Sequence, residues 1–145
     1  MSKIKSFRGQ LASGGIETVP LRTNTGSIGY KIKKFEALSY YPSGTSPEAV
    51  IKIYSIPQAT ATDTIDFNDN TLLAALFYEG NSNNYYISQV VTIFDNMKFN
   101  QDIYVTCTST DGKMNYYIEL EQDTLSIDEN TVATLKDIRN ITGPV

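Results

Sequence analysis

The chain has no histidine, no tryptophan and a single cysteine among its 145 residues. Without histidine, imidazole acid–base work, His-dependent triads and His-ligated zinc are closed to it. One cysteine, Cys107, rules out an intramolecular disulfide and a thiolate metal cluster. In Ile103-Tyr104-Val105-Thr106-Cys107 it shares a strand face with Ile103 and Val105, so the expectation is a buried small hydrophobe rather than a reactive thiol. No run approaches the roughly 18 apolar residues of a membrane span, and Met1-Ser2-Lys3-Ile4-Lys5 leads into no apolar signal region. The expectation is therefore synthesis in a cytoplasm and no membrane partner.

What the chain does have is 10 Tyr and 6 Phe with many Thr, Val and Ile, a composition that favours strands over helices. Its length suits one domain, large enough to bury roughly 68–70% of its unfolded surface without a disulfide or metal. Charge is unevenly spread. Residues 1–60 hold eight Lys/Arg against three Glu, whereas residues 61–145 hold four against thirteen Asp/Glu, for a total of −4. Such asymmetry fits two solvated faces of opposite sign, like subunits aligned head to tail, or a basic N-terminal arm on an acidic neighbour. A pI near 4.7 argues against nucleic acid as a partner, despite Lys31, Lys33 and Lys34 beside Tyr30 and Phe35.

Residues 1–15 carry Gly9, Gly14 and Gly15 and scattered apolar positions, which predicts an N-terminal arm ahead of a domain spanning 16–145. Arg8 to Gly15 lacks the Gly-Lys-Ser/Thr ending of a phosphate loop. Residues 16–21 read as a short edge strand, because Pro20 has no backbone donor. Residues 30–41 read as a strand with a bulge at Lys33-Lys34, where Ile32 and Phe35 fall out of step. Residues 49–56 give the most regular alternation and predict a central strand, with Ala49, Ile51 and Ile53 on one face and Val50, Lys52 and Tyr54 on the other.

Further strands are expected at 64–67, 71–78, 90–94, 102–109 and 115–122. The eight-residue apolar run at 71–78 also admits two turns of helix. Thr110-Asp111-Gly112-Lys113 carries the Asp-Gly pair of tight hairpins. Ser126-Ile127-Asp128-Glu129 has capping-box spacing, and Val132, Leu135, Ile138 and Ile141 follow at intervals of three, consistent with a loose helix or an extended tail. These elements sum to an all-β chain: a single antiparallel β-sandwich of about eight strands, for which a jelly roll is one arrangement, with an extended N-terminal arm.

With imidazole excluded, carboxylates are the remaining candidates for catalysis. Asp95 and Asp102 flank the polar turn of Phe94 to Val105 and have the makings of a glycosidase pair, yet no cleft or acidity difference is evident between them. Asp66 to Asn70 matches the first half of a calcium loop, but Thr71 stands where glycine is needed and Phe77 where the bidentate glutamate belongs. Asn and Asp side chains bonding their own backbone in a turn explain the same residues. The pairs Tyr40-Tyr41, Tyr85-Tyr86 and Tyr116-Tyr117 put one ring on each side of a strand, and the exposed ring of each can stack on sugars or line a protein interface.

Several stretches together resemble small virion structural proteins, of decoration type, from marine tailed bacteriophages. They are Gly29-Tyr30-Lys31-Ile32-Lys33-Lys34-Phe35, Ile65 to Ala75, Phe94-Asp95-Asn96 with Phe99 to Thr106, and Asn115 to Glu121. The resemblance implies a non-enzymatic β-sandwich subunit in a virion, made in the host bacterial cytoplasm. Its expected partners are the major capsid protein or another virion protein and copies of itself, in a trimer or larger ring, with no cofactor and no metal. Lys3, Lys5 and Arg8 of the arm, Tyr85 and Tyr86 of a loop, and Ile138 and Arg139 of the tail are the expected interface residues. The alternatives are a tail or head-fibre adhesin holding a host-surface glycan at Tyr85 and Tyr86, and a carboxylate hydrolase using Asp95 and Asp102.

Overall fold

A computed structural model describes residues 3–22, 27–94 and 97–124. They form eight strands: β1 (Lys3–Leu11), β2 (Ile16–Val19), β3 (Ile28–Ser39), β4 (Glu48–Tyr54), β5 (Leu72–Asn81), β6 (Tyr86–Ile93), β7 (Ile103–Ser109) and β8 (Met114–Thr124). Two antiparallel sheets result, one of three strands in the order β1-β8-β3 and one of five in the order β2-β7-β4-β5-β6. The pairs β1·β8, β2·β7 and β4·β5 are nested, first with last and inward, which is the winding of a jelly roll. The fourth nested pair is absent as a ladder: β6 stays hydrogen-bonded to β5 and stands beside β3 without joining the three-stranded sheet.

Alternation explains which face each strand buries. On β8, Met114, Tyr116, Ile118 and Leu120 point into the core, while the residues between them are only partly covered. On β3 the same pattern is kept across a register shift between Ile32 and Lys34, so Tyr30, Ile32, Phe35 and Ala37 all reach the core. That is the bulge the sequence predicts. β4 lies between β7 and β5, and both of its faces are buried. Ala49, Ile51 and Ile53 join the main core, whereas Tyr54 joins a small outer cluster with Leu72, Ala75 and Phe94. The apolar run at 71–78 is strand β5, and Asp111-Gly112 turns β7 into β8 with Gly112 at φ 87°, where a side chain is strained. Cys107 is fully buried in the main core, as its strand position implies.

The expected arm is extended but not free. Residues 3–11 pair with β8 along their whole length, from Lys3 opposite Gln122 to Leu11 opposite Met114. The glycines that suggest a loose segment serve other ends. Gly9 lies opposite Tyr116, and a Cβ there would sit 2.6 Å from the ring, so the aromatic side chain fills the space that glycine leaves in the edge strand. Gly14, at φ 86°, swings the chain from one sheet to the other, and its N–H donates to the Cys107 carbonyl.

Residues 64–67 are not a strand. Asp66 accepts the Asn68 N–H at 2.9 Å and the Asp69 N–H bonds the Asp66 carbonyl at 3.1 Å, so local turn bonds displace extended pairing. Phe67 instead meets Phe94 edge to face, with ring centroids 5.2 Å apart. The stretch from Phe94 to Val105 would suit either an antiparallel hairpin or a short connection between two sheets; it is neither, since β6 and β7 lie in one sheet without being neighbours. It crosses to the other layer, where Phe99 makes an isolated bridge with Tyr30 and stacks on its ring at 6.2 Å. The reading of 126–141 as helix or tail lies outside the described residues.

Part of the charge asymmetry along the sequence is offset within one sheet. β8, with Glu119, Glu121 and Asp123, lies between β1, with Lys3, Lys5 and Arg8, and β3, with Lys31, Lys33 and Lys34. Lys31 and Glu121 are directly opposed, 3.7 Å apart at their charged ends. Lys34 likewise stands opposite Glu119, and opposite charges directly opposed favour the β3·β8 pairing.

Candidate functional site

One pole of the sandwich gathers the turns 40–47, 81–85 and 109–113, and hydrogen bonds tie them to each other. The Ser46 N–H donates to Asp111 at 3.1 Å, the Ser46 and Ser82 hydroxyls are 3.2 Å apart, and the Tyr40 N–H donates to the Lys113 carbonyl at 3.0 Å. Asn81 Oδ1 accepts both the Asn83 and Asn84 N–H groups at 3.0 Å, closing the β5–β6 turn. Residue Tyr85 leaves that turn in the left-handed region, φ 55°, with its side chain 92% exposed. A bulky residue in this conformation is an outlier, held by the loop around it.

Tyr40 and Tyr41 are likewise exposed, at 62% and 58%. Lys113 Nζ lies 5.8 Å from the Tyr40 ring centroid. Only at 116–117 does a tyrosine pair divide between core and surface as alternation predicts; at 40–41 and 85–86 both rings are exposed. Tyr86 donates its hydroxyl to Glu79, and that bond raises the phenol above its ordinary value.

Beside this pole a groove of about 880 Å³ runs over the outer face of the three-stranded sheet. Arg8, Gln10, Glu36, Leu38, Asn115 and Tyr117 line it, and Ile87 and Gln89 of β6 form one wall. Gln10 donates to Asn115 at 2.9 Å, and Tyr117 donates to Glu119 at 2.7 Å. The Ala37 N–H on the outer edge of β3 donates to the Gln89 side-chain carbonyl at 3.2 Å. The lining combines amides, one cation, one carboxylate and the exposed apolar side chains Leu38 and Ile87.

The expected interface residues are only partly brought together. Arg8 lines the groove near the start of β6, whereas Lys3 and Lys5 sit at the far end of β1, with Lys5 Nζ 6.0 Å from the Tyr30 ring centroid. Tyr85 and Tyr86 are at the loop pole; Ile138 and Arg139 lie outside the described residues. Of the suggested carboxylate pair, Asp95 is likewise outside them, and Asp102 accepts the Leu21 and Arg22 N–H groups at 2.8 and 2.9 Å. Asp69 accepts the Thr71 N–H and hydroxyl at 2.9 and 2.6 Å. These acids hold turns.

Lys52 is the polar residue whose role the sequence leaves unseen. It is 1% exposed, beneath the 56–71 segment, and its Nζ donates to the Thr62 hydroxyl at 2.9 Å and the Thr64 carbonyl at 2.5 Å. Burial lowers its pKa, opposed by the nearby Asp63 and Asp69. Its signal in the sequence is one lysine between Val50 and Tyr54 in the most regular strand.

No family model and no curated protein sequence matches the chain. Among solved structures it is similar to one described under "Bacillus endospore appendages form a novel family of disulfide-linked pili", with 11% identity and a TM-score of 0.36 over 87% of this chain and 92% of that one.

Proposed function

We propose that the chain is a non-enzymatic virion structural subunit, a capsid decoration or cement protein that binds the major capsid protein or another virion protein together with its own copies. Beside the sequence resemblance, one observation carries this reading: Tyr40, Tyr41 and Tyr85 stand exposed on a single pole whose loops are bonded to each other. Rigid, exposed aromatic side chains contribute contact area at little cost in conformational entropy, and they are enriched where proteins meet. The pole is accordingly the shell-facing surface, in place of a flexible N-terminal arm.

Shells lacking the chain, mixed with purified protein and pelleted, should bind it saturably. Replacing Tyr40, Tyr41 and Tyr85 together by alanine should weaken that binding at least about tenfold, the equivalent of about 1.4 kcal/mol. Undiminished binding of the triple variant would refute the pole as the contact.

The φ of Tyr85 gives specific support to a second reading, an adhesin that stacks a host-surface glycan on this ring. It requires that purified protein bind host cells and that Tyr85→Ala abolish the binding.

A further inference from the structure

The outward-facing side chains of the three-stranded sheet fall into rows across the ladder. One row sets Gln10, Asn115 and Leu38 side by side, and the next sets Arg8, Tyr117 and Glu36. Both rows line the groove of about 880 Å³, a volume within the range of small-ligand sites, and Ile87 and Gln89 of β6 wall it. That wall is fixed, because the Gln89 side-chain carbonyl accepts the Ala37 N–H.

Tyr117 lies at the centre. Its hydroxyl donates to Glu119, two residues along the same face of β8, so the ring is held along the strand rather than out from it. Arg8 and Glu36 flank it on the two neighbouring strands, and neither makes a hydrogen bond or ion pair with another described residue. The ring thus stands between a fork that only donates and a fork that only accepts, beside two amides that do both.

We infer that the groove binds a neutral oligosaccharide, with one sugar ring on Tyr117 and its hydroxyls shared among Arg8, Glu36, Gln10 and Asn115. A sugar ring offers an apolar C–H face to an aromatic side chain and a rim of hydroxyls that each donate and accept. An anionic or cationic ligand would meet one attractive and one repulsive charge beside the ring. The core of a protein interface is depleted in charge, whereas Arg8 and Glu36 bracket the centre here. Gln10 is already bonded to Asn115 at 2.9 Å, which sets both amides before a ligand arrives. This activity goes beyond the shell contact proposed above, and its site shares no residue with the tyrosines assigned to the pole.

The test is calorimetric titration of the full chain with neutral tetrasaccharides of glucose, galactose, mannose and N-acetylglucosamine, beside a tetragalacturonate and a chitosan tetramer as charged counterparts. At least one neutral probe should bind with a Kd of about 1 mM or tighter. Tyr117→Ala should weaken that binding at least about tenfold, whereas Tyr117→Phe, which keeps the ring, should stay within about threefold. Glu36→Ala, a change on the neighbouring strand, should weaken it by about threefold or more. Tyr85→Ala should leave it unchanged, which separates this groove from glycan stacking at the pole. No binding of any neutral probe at about 10 mM, tighter binding of a charged probe, or an affinity indifferent to both Tyr117→Ala and Glu36→Ala would overturn the inference. Sugar binding is read on the isolated chain and shell binding on particles, so either can fail while the other stands.

Discussion

At the scale of single residues, two buried groups show how the sandwich is held. Lys52 fastens the 56–71 segment over the outer face of β4, because its ammonium group satisfies a hydroxyl and a carbonyl of that segment. Lys52→Ala would remove the stem and leave the Thr64 carbonyl without its donor; the expected loss is about 3 kcal/mol by denaturant unfolding. Lys52→Met, which keeps the volume, should lose about half as much. Cys107 is the second. Burial pushes its thiol from 9.0 up to about 11. Native protein at pH 8 should therefore leave a thiol-specific dye unreacted, and unfolded protein should consume one equivalent. The linkage runs in one direction. Below pH 9 both states keep the thiol proton, and between pH 9 and about 11 only the folded state keeps it, so this contribution to stability is lost as pH rises through that window. A Cys107→Ala variant should show a shallower alkaline decline in unfolding free energy.

At the scale of elements, removal of residues 1–11 separates an arm from a strand. A free arm could be cut away without cost. β1, by contrast, covers the outer edge of β8, buries Leu11 in the core and packs half-buried Phe7 against it, where full burial of one such side chain is worth roughly 1.5–3 kcal/mol. The truncated chain should unfold at a clearly lower temperature by circular dichroism, with β8 left as an open edge. Those two residues were hard to see in the sequence because Phe7 and Leu11 are spaced by four across Gly9, so no alternation announces a strand.

Other elements were legible for plain physical reasons. The Ile32 to Phe35 phase slip announced the β3 bulge, Pro20 the short edge strand, and Asp111-Gly112 the tight turn. Asp66-Asn68 announced local turn bonds, yet Ile65-Asp66-Phe67 alternates like a strand, and only the competition from those bonds decides against it. The groove was not legible. Arg8, Leu38 and Gln89 belong to three strands far apart in sequence, and nothing local says that they meet.

At the scale of the whole molecule, the nested winding sets surfaces of different character apart. In the three-stranded sheet acidic β8 lies between two basic strands, the bonded turns hold three tyrosines outward at one pole, and uncharged β6 lies along one flank. On the proposed reading, the pole is the surface that meets the shell. The most direct measurement is an electron-microscopy reconstruction of the virion that contains the chain. It should show a sandwich of three and five strands at symmetry-related positions on the particle, with the 40–47 and 81–85 turns against the shell. Particles in which no such density occurs, from a preparation that contains the chain, would contradict the virion role.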